Sequence, residues 1–152
     1  MSKNIRTKLI AFSLAVVSVL SIISGPVFSL KVNAAEDITP YYNNTLSART
    51  TISISSAGKL SIVNSYHGFQ NVTTRAVITT YIEKKVLGLI WTKVDIGLPN
   101  DQWVDAVNNY YYTGEHTFQL SSKGTYRVTV SFKIYGSGGT ADEIERQETK
   151  TY

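Results

Sequence analysis

His67 and His116 are the two imidazoles of the chain, and there is no cysteine. Thiol catalysis, a disulfide framework and a cysteine-held metal are therefore excluded. Serine is plentiful, but nucleophilic serine needs a base and an orienting acid that converge on it. No Gly-x-Ser-x-Gly turn is present. Each histidine reads as a loop residue or a satisfied surface group, not as part of a catalytic pair. Acids gather loosely at Asp95, Asp101 and Asp105, and again at Asp142, Glu143 and Glu145. Hard cations take close carboxylates on a loop. Neither group has a calcium-loop spacing, so both read as solvated loop charge. No catalytic residue, metal site or cofactor is expected. Aromatic rings are the remaining chemistry. Tyr81 and Trp91 alternate with Glu83, Lys93 and Asp95, which places both on a charged strand face. Rings on such a face can stack on sugars or anchor a protein partner.

The N-terminus reads as an export signal. Lys3, Arg6 and Lys8 precede an apolar run from Leu9 to Ile23. Gly25-Pro26 breaks the helix, and Val32-Asn33-Ala34 offers small residues for cleavage before Ala35. Residues 1–34 are expected to be a secretory signal peptide with a helical core, and the mature protein to be extracellular, with no stable membrane anchor. The precursor carries 15 cations against 11 acids. Four of the cations and none of the acids lie in the signal, which leaves 11 against 11. Nucleic-acid binding needs a cationic surplus, so that class is set aside.

The elements that position these residues are strands. Lys123-Gly124 is a turn signal, and a strict alternation follows it. Tyr126, Val128, Val130, Phe132 and Ile134 share one face; Arg127, Thr129, Ser131 and Lys133 share the other. That period of two marks a central antiparallel strand with one buried face. Ala76, Ile78, Thr80 and Ile82 form a second such face, and Leu60, Ile62, Asn64 and Tyr66 a third. Gly88 centres a hairpin, whose fold sets Ile82 opposite Val94 and Glu83 opposite Lys93. Residues 35–49, rich in Asn and Tyr around Pro40, read as a leader before the domain at 50–152, either mobile or pairing late as an edge strand. Trp103 to Val107 is too short to assign, and Tyr110 to Thr113 and His116 to Leu120 flank a break at Gly114-Glu115 as two short strands or a strand and a turn. Ile144 to Tyr152 is polar enough for an edge strand.

Seven to nine short strands in this length predict an all-β, antiparallel sandwich. Leu120, Gly124, Tyr126 and Val128 resemble the tyrosine corner of immunoglobulin-like domains, in which the phenol bonds a backbone group a few residues upstream. Ser122 or a neighbour would be that group. The chain has no cysteine pair, so the resemblance is to the looser bacterial immunoglobulin-like sandwiches. A second resemblance covers residues 72–136. Val72-Thr73-Thr74, Ile78-Thr79-Thr80, Trp91-Thr92-Lys93-Val94-Asp95-Ile96-Gly97, Gly124-Thr125-Tyr126-Arg127 and Tyr135-Gly136-Ser137-Gly138-Gly139 are similar to a family of small secreted proteins of Gram-positive bacteria, classed as a domain of unknown function. It implies export and a compact β fold, and brings no site residues.

The expected function is a secreted, non-catalytic binding module for a cell-surface, matrix or carbohydrate ligand, with Tyr81 and Trp91 as its contacts. Its partners would be a cell-wall carbohydrate or an extracellular protein. An exported bacteriocin-like or membrane-active effector, in which the hairpin 76–96 rearranges, is the alternative. The near-neutral mature charge weighs against it. A small hydrolase ranks last.

Overall fold

The computed structural model describes residues 41–152. The signal peptide at 1–34, its helix, the cleavage site before Ala35 and the leader up to residue 40 lie outside the described residues. Eight strands follow in chain order: β1 (Thr45–Ile54), β2 (Lys59–Gly68), β3 (Thr73–Val86), β4 (Ile90–Lys93), β5 (Trp103–Val107), β6 (Tyr111–Gln119), β7 (Thr125–Gly136) and β8 (Asp142–Thr151). A single 3₁₀ turn, Pro99–Asp101, interrupts them. All pairings are antiparallel.

One sheet runs β1-β2-β6, and the other runs β4-β3-β7-β8 with β5 also on β3. β4 pairs with the end of β3 and β5 with its beginning. The two are therefore halves of one edge strand, split by the excursion at residues 94–102. Counted that way the arrangement is three strands on four, an immunoglobulin-like sandwich. The apolar faces legible in the alternation form its core: Leu60, Ile62, Ala76, Ile78, Ile82, Val128, Val130, Phe132 and Ile134 are completely buried. Tyr126 is buried too, and its hydroxyl donates to the Ser122 carbonyl at 2.6 Å, the expected tyrosine corner. The hairpin register is also the expected one. Glu83 pairs with Lys93, and the Val94 amide donates to the Ile82 carbonyl at 2.9 Å.

The core holds one polar bridge. Thr50 Oγ1 donates to Asn64 Oδ1 at 3.0 Å, and Asn64 Nδ2 donates to Thr80 Oγ1 at 2.8 Å. This links β1 and β2 to β3 across the sandwich and satisfies an amide that would otherwise be costly to bury.

Three expectations need correction. The domain does not begin at residue 50: β1 starts at Thr45, and Asn44 and Thr45 are buried. Asp142 is the reason, and it is not solvated loop charge. Its carboxylate accepts from the Asn43 amide at 2.9 Å, the Asn44 amide at 2.8 Å and Thr45 Oγ1 at 2.7 Å. Asn44 Nδ2 in turn donates to the Thr140 carbonyl at 2.9 Å. A buried carboxylate with three donors is well compensated, and here it clamps the first strand to the last. Finally, Gly114 lies inside a continuous β6 instead of at a turn. The Tyr112 ring lies over it, in the space a Cβ would take. Strand glycines mark such close approaches.

Candidate functional site

β5 edges one sheet and β6 edges the other, so their inward side chains meet at the open side of the sandwich. From β5 come Trp103 and Asp105, registered against Thr80 and Ile78. From β6 come Tyr112 and His116, registered against Tyr66 and Ile62. His116 Nε2 lies 2.8 Å from Asp105 Oδ2, a partly buried bond between the sheets. The Trp103 indole stacks on the same imidazole, with ring centroids 5.0 Å apart and planes 13° from parallel. Tyr112 completes the cluster. Burial, and then the Asp105 carboxylate, push its phenol above the ordinary tyrosine range.

Trp103, Asp105 and His116 of this cluster floor a cleft of about 380 Å³, lined also by Leu98, Pro99, Asn100, Gln102 and Val104. Its rim is the 94–102 excursion. That loop is held in an unusual backbone state, because Asn100 and Asp101 sit at φ 56° and 52°. Non-glycine residues in the left-handed region store strain and gather at functional positions. The loop is braced from outside, since Lys93 Nζ donates to the Asn100 carbonyl at 2.8 Å. It is also braced from within: the Gly97 amide donates to Asp95 Oδ1 at 2.8 Å.

The chemistry available is recognition. The lining combines an indole and aliphatic surface with two amides, a carboxylate and an imidazole. Such a pattern, apolar walls with a few converging polar groups, is what a small-ligand site needs, and the volume falls within the usual range of about 300–1,000 Å³. Among the described residues, no group of three or more His, Cys, Asp or Glu side chains converges to hold a metal.

The sequence pointed elsewhere. Tyr81 and Trp91 lie on the outer face of the larger sheet, as their alternation requires, but cations cover both. Lys93 Nζ is 4.9 Å from the Tyr81 centroid. Arg127 Cζ is 4.5 Å from the Trp91 centroid, and Lys85 Nζ 5.7 Å. Arg127 is itself bonded to Glu83, at 2.7 Å through its Nη2. The outer face is thus a ladder of cation–π contacts. The histidines are also placed differently from expectation. His67 and His116 both lie on strands instead of loops; His67 is exposed, and His116 is a half-buried, satisfied partner of Asp105. Trp103 was missed. Its one sequence signal is the alternation Trp103, Asp105, Val107, which is too short to stand out by itself.

No family model matches the sequence, and no curated protein matches it. Among solved structures, a crystal structure described as an ApaA protein from Bordetella pertussis is similar over 72% of this chain and 95% of its own. The identity is 16% and the TM-score 0.33, a likeness that carries no argument about this chain.

Proposed function

We propose that this is a secreted, non-catalytic binding module of a Gram-positive bacterium, and that its ligand is a carbohydrate of the cell surface or matrix. The cleft beneath the 94–102 loop is the binding site. The observation that carries this reading is the Trp103 ring, locked against His116 and set among Asn100, Gln102 and Asp105. An indole takes the apolar face of a sugar, and planar amides and carboxylates take its hydroxyls. The His116–Asp105 bond supports recognition over turnover. Its role is to hold the indole and join two sheet edges. Export rests on the basic, apolar and small-residue order of residues 3–34.

The test is retention on insoluble peptidoglycan, chitin and cellulose, comparing wild type with Gln102→Ala, Trp103→Ala and Trp91→Ala. Wild type should be retained on at least one. Gln102→Ala, a change at the cleft wall, should lose retention together with Trp103→Ala, while Trp91→Ala keeps it. Loss in Trp91→Ala alone would move the contact to the Tyr81–Trp91 face. Failure of wild type on all three polymers would sink the carbohydrate reading.

A further inference from the structure

The tip of the β3–β4 hairpin is unlike the rest of the surface. Leu87 and Leu89 are 86% and 83% exposed, and Ile90 and Val86 61% and 41%. Four aliphatic side chains in one short segment is a contiguous apolar patch, the kind that marks an interaction site. The tip also stands clear of the sandwich. β3 pairs with β7 only as far as Lys84, opposite Tyr126. Beyond it Lys85 pairs with Trp91 and Val86 with Ile90, and neither pair has a third strand beside it. At about 3.3 Å per residue the hairpin overhangs the domain by roughly 10 Å.

The turn is shaped but chemically odd. Leu87 and Gly88 sit at φ 51° and 71°, and the Leu89 amide donates to the Val86 carbonyl at 3.1 Å. Asn or Gly suits the first of these positions best. A leucine there is unfavourable for the backbone and unfavourable in water, so folding does not explain it.

Behind the tip lies a cationic belt. Lys84 and Lys85 come from β3 and Lys93 from β4, and Glu83 is the one acid on either strand. Glu83 is already bonded to Arg127. Lys84 Nζ donates to Ser122 Oγ at 2.6 Å, which ties the loop carrying Lys123 to the same end. The acids of β8 nearest the β7–β8 turn, Asp142, Glu143 and Glu145, are at the opposite end of the sandwich, where Ile134 faces Asp142. Along the hairpin, then, the order is bare aliphatics, then Trp91 level with Lys85, then Lys84. That is the depth order of a bilayer with anionic headgroups: hydrocarbon, interface where tryptophan settles, and surface negative charge.

We propose that the 86–90 tip docks peripherally into anionic lipid bilayers, with Trp91 at the interface and Lys84 and Lys85 on the headgroups. This surface is separate from the Trp103 cleft and does not depend on its ligand. The domain keeps its fold: the tip is preformed, and no strand need leave the sheet.

The absence of cysteine permits a site-specific test on the full chain. Leu89→Cys and, at the far end, Ser137→Cys are each labelled with an environment-sensitive fluorophore. They are mixed with vesicles of phosphatidylcholine, with and without phosphatidylglycerol. The expected result is a blue shift and at least a twofold intensity gain at 89, with phosphatidylglycerol only, and no change at 137. Lys84→Gln with Lys85→Gln should weaken partitioning by about thirtyfold, at about 1 kcal/mol for each surface cation. A shift at both positions, at neither, or equally on phosphatidylcholine alone overturns the proposal. So does concentration-dependent dimerisation that Leu87→Ser with Leu89→Ser abolishes, because that would put a second copy on the tip.

Discussion

Replacing Asp142 should be among the most damaging single changes in the domain. Its carboxylate accepts three hydrogen bonds, all from residues 43–45. Hydrogen bonds to charged groups contribute about 1.5–3 kcal/mol each, and buried donors left unpaired cost about 1–3 kcal/mol. Asp142→Ala strands the Asn44 amide and the Thr45 hydroxyl, both in buried residues, while the less enclosed Asn43 amide can turn to water. Two stranded donors and a small void give an expected loss of about 3–5 kcal/mol, against a total of about 5–15 kcal/mol for a domain. Asp142→Asn keeps the shape and one carbonyl acceptor, and should lose about half as much. The neighbouring Glu143 is exposed and pairs with Lys133 at 2.6 Å on the surface. Glu143→Ala should therefore leave the unfolding midpoint where wild type has it. Urea unfolding followed by tryptophan fluorescence measures all three, with equal m-values as the condition for comparison. A loss below about 1 kcal/mol for Asp142→Ala, or equal losses at 142 and 143, would refute the clamp.

Tyr126→Phe removes the 2.6 Å bond to the Ser122 carbonyl and leaves the ring in place. It should cost about 1–2 kcal/mol in the same unfolding assay, and no measurable cost would remove the tyrosine corner from the account. Alkaline stability should fall early. Burial, and then Tyr112, push the Tyr66 phenol up to about 12 from an ordinary 10.0. The folded state thus holds a proton that the unfolded state releases, so stability present below pH 10 is lost as pH rises through 12. Discounted for solvent screening, the loss is about 1–2 kcal/mol over that window, and Tyr66→Phe should reduce it in unfolding midpoints read between pH 9 and 12, with the raised Tyr112 phenol keeping the remainder.

The elements with a buried face were legible in advance because burial on one side imposes a period of two, whatever lies across the core. β2, β3 and β7 carry that signature, and their inward residues are those the alternation names. Local chemistry was legible too. Gly88 sets the hairpin, and the hairpin sets Glu83 against Lys93. Tyr126 announces its corner because its partner is four residues away. What lay beyond reading was whatever depends on distant segments meeting. Asp142 looks like loop charge until residues about a hundred positions earlier bring it three donors. Gly114 looks like a turn until β2, fifty residues earlier, pairs along the whole of β6, with Asn64 opposite it. Trp103 and Asp105 belong to one sheet and His116 to the other, so no spacing along the chain records their contact. Alternation states which way a side chain points, and only the packing of the two sheets decides what it meets there.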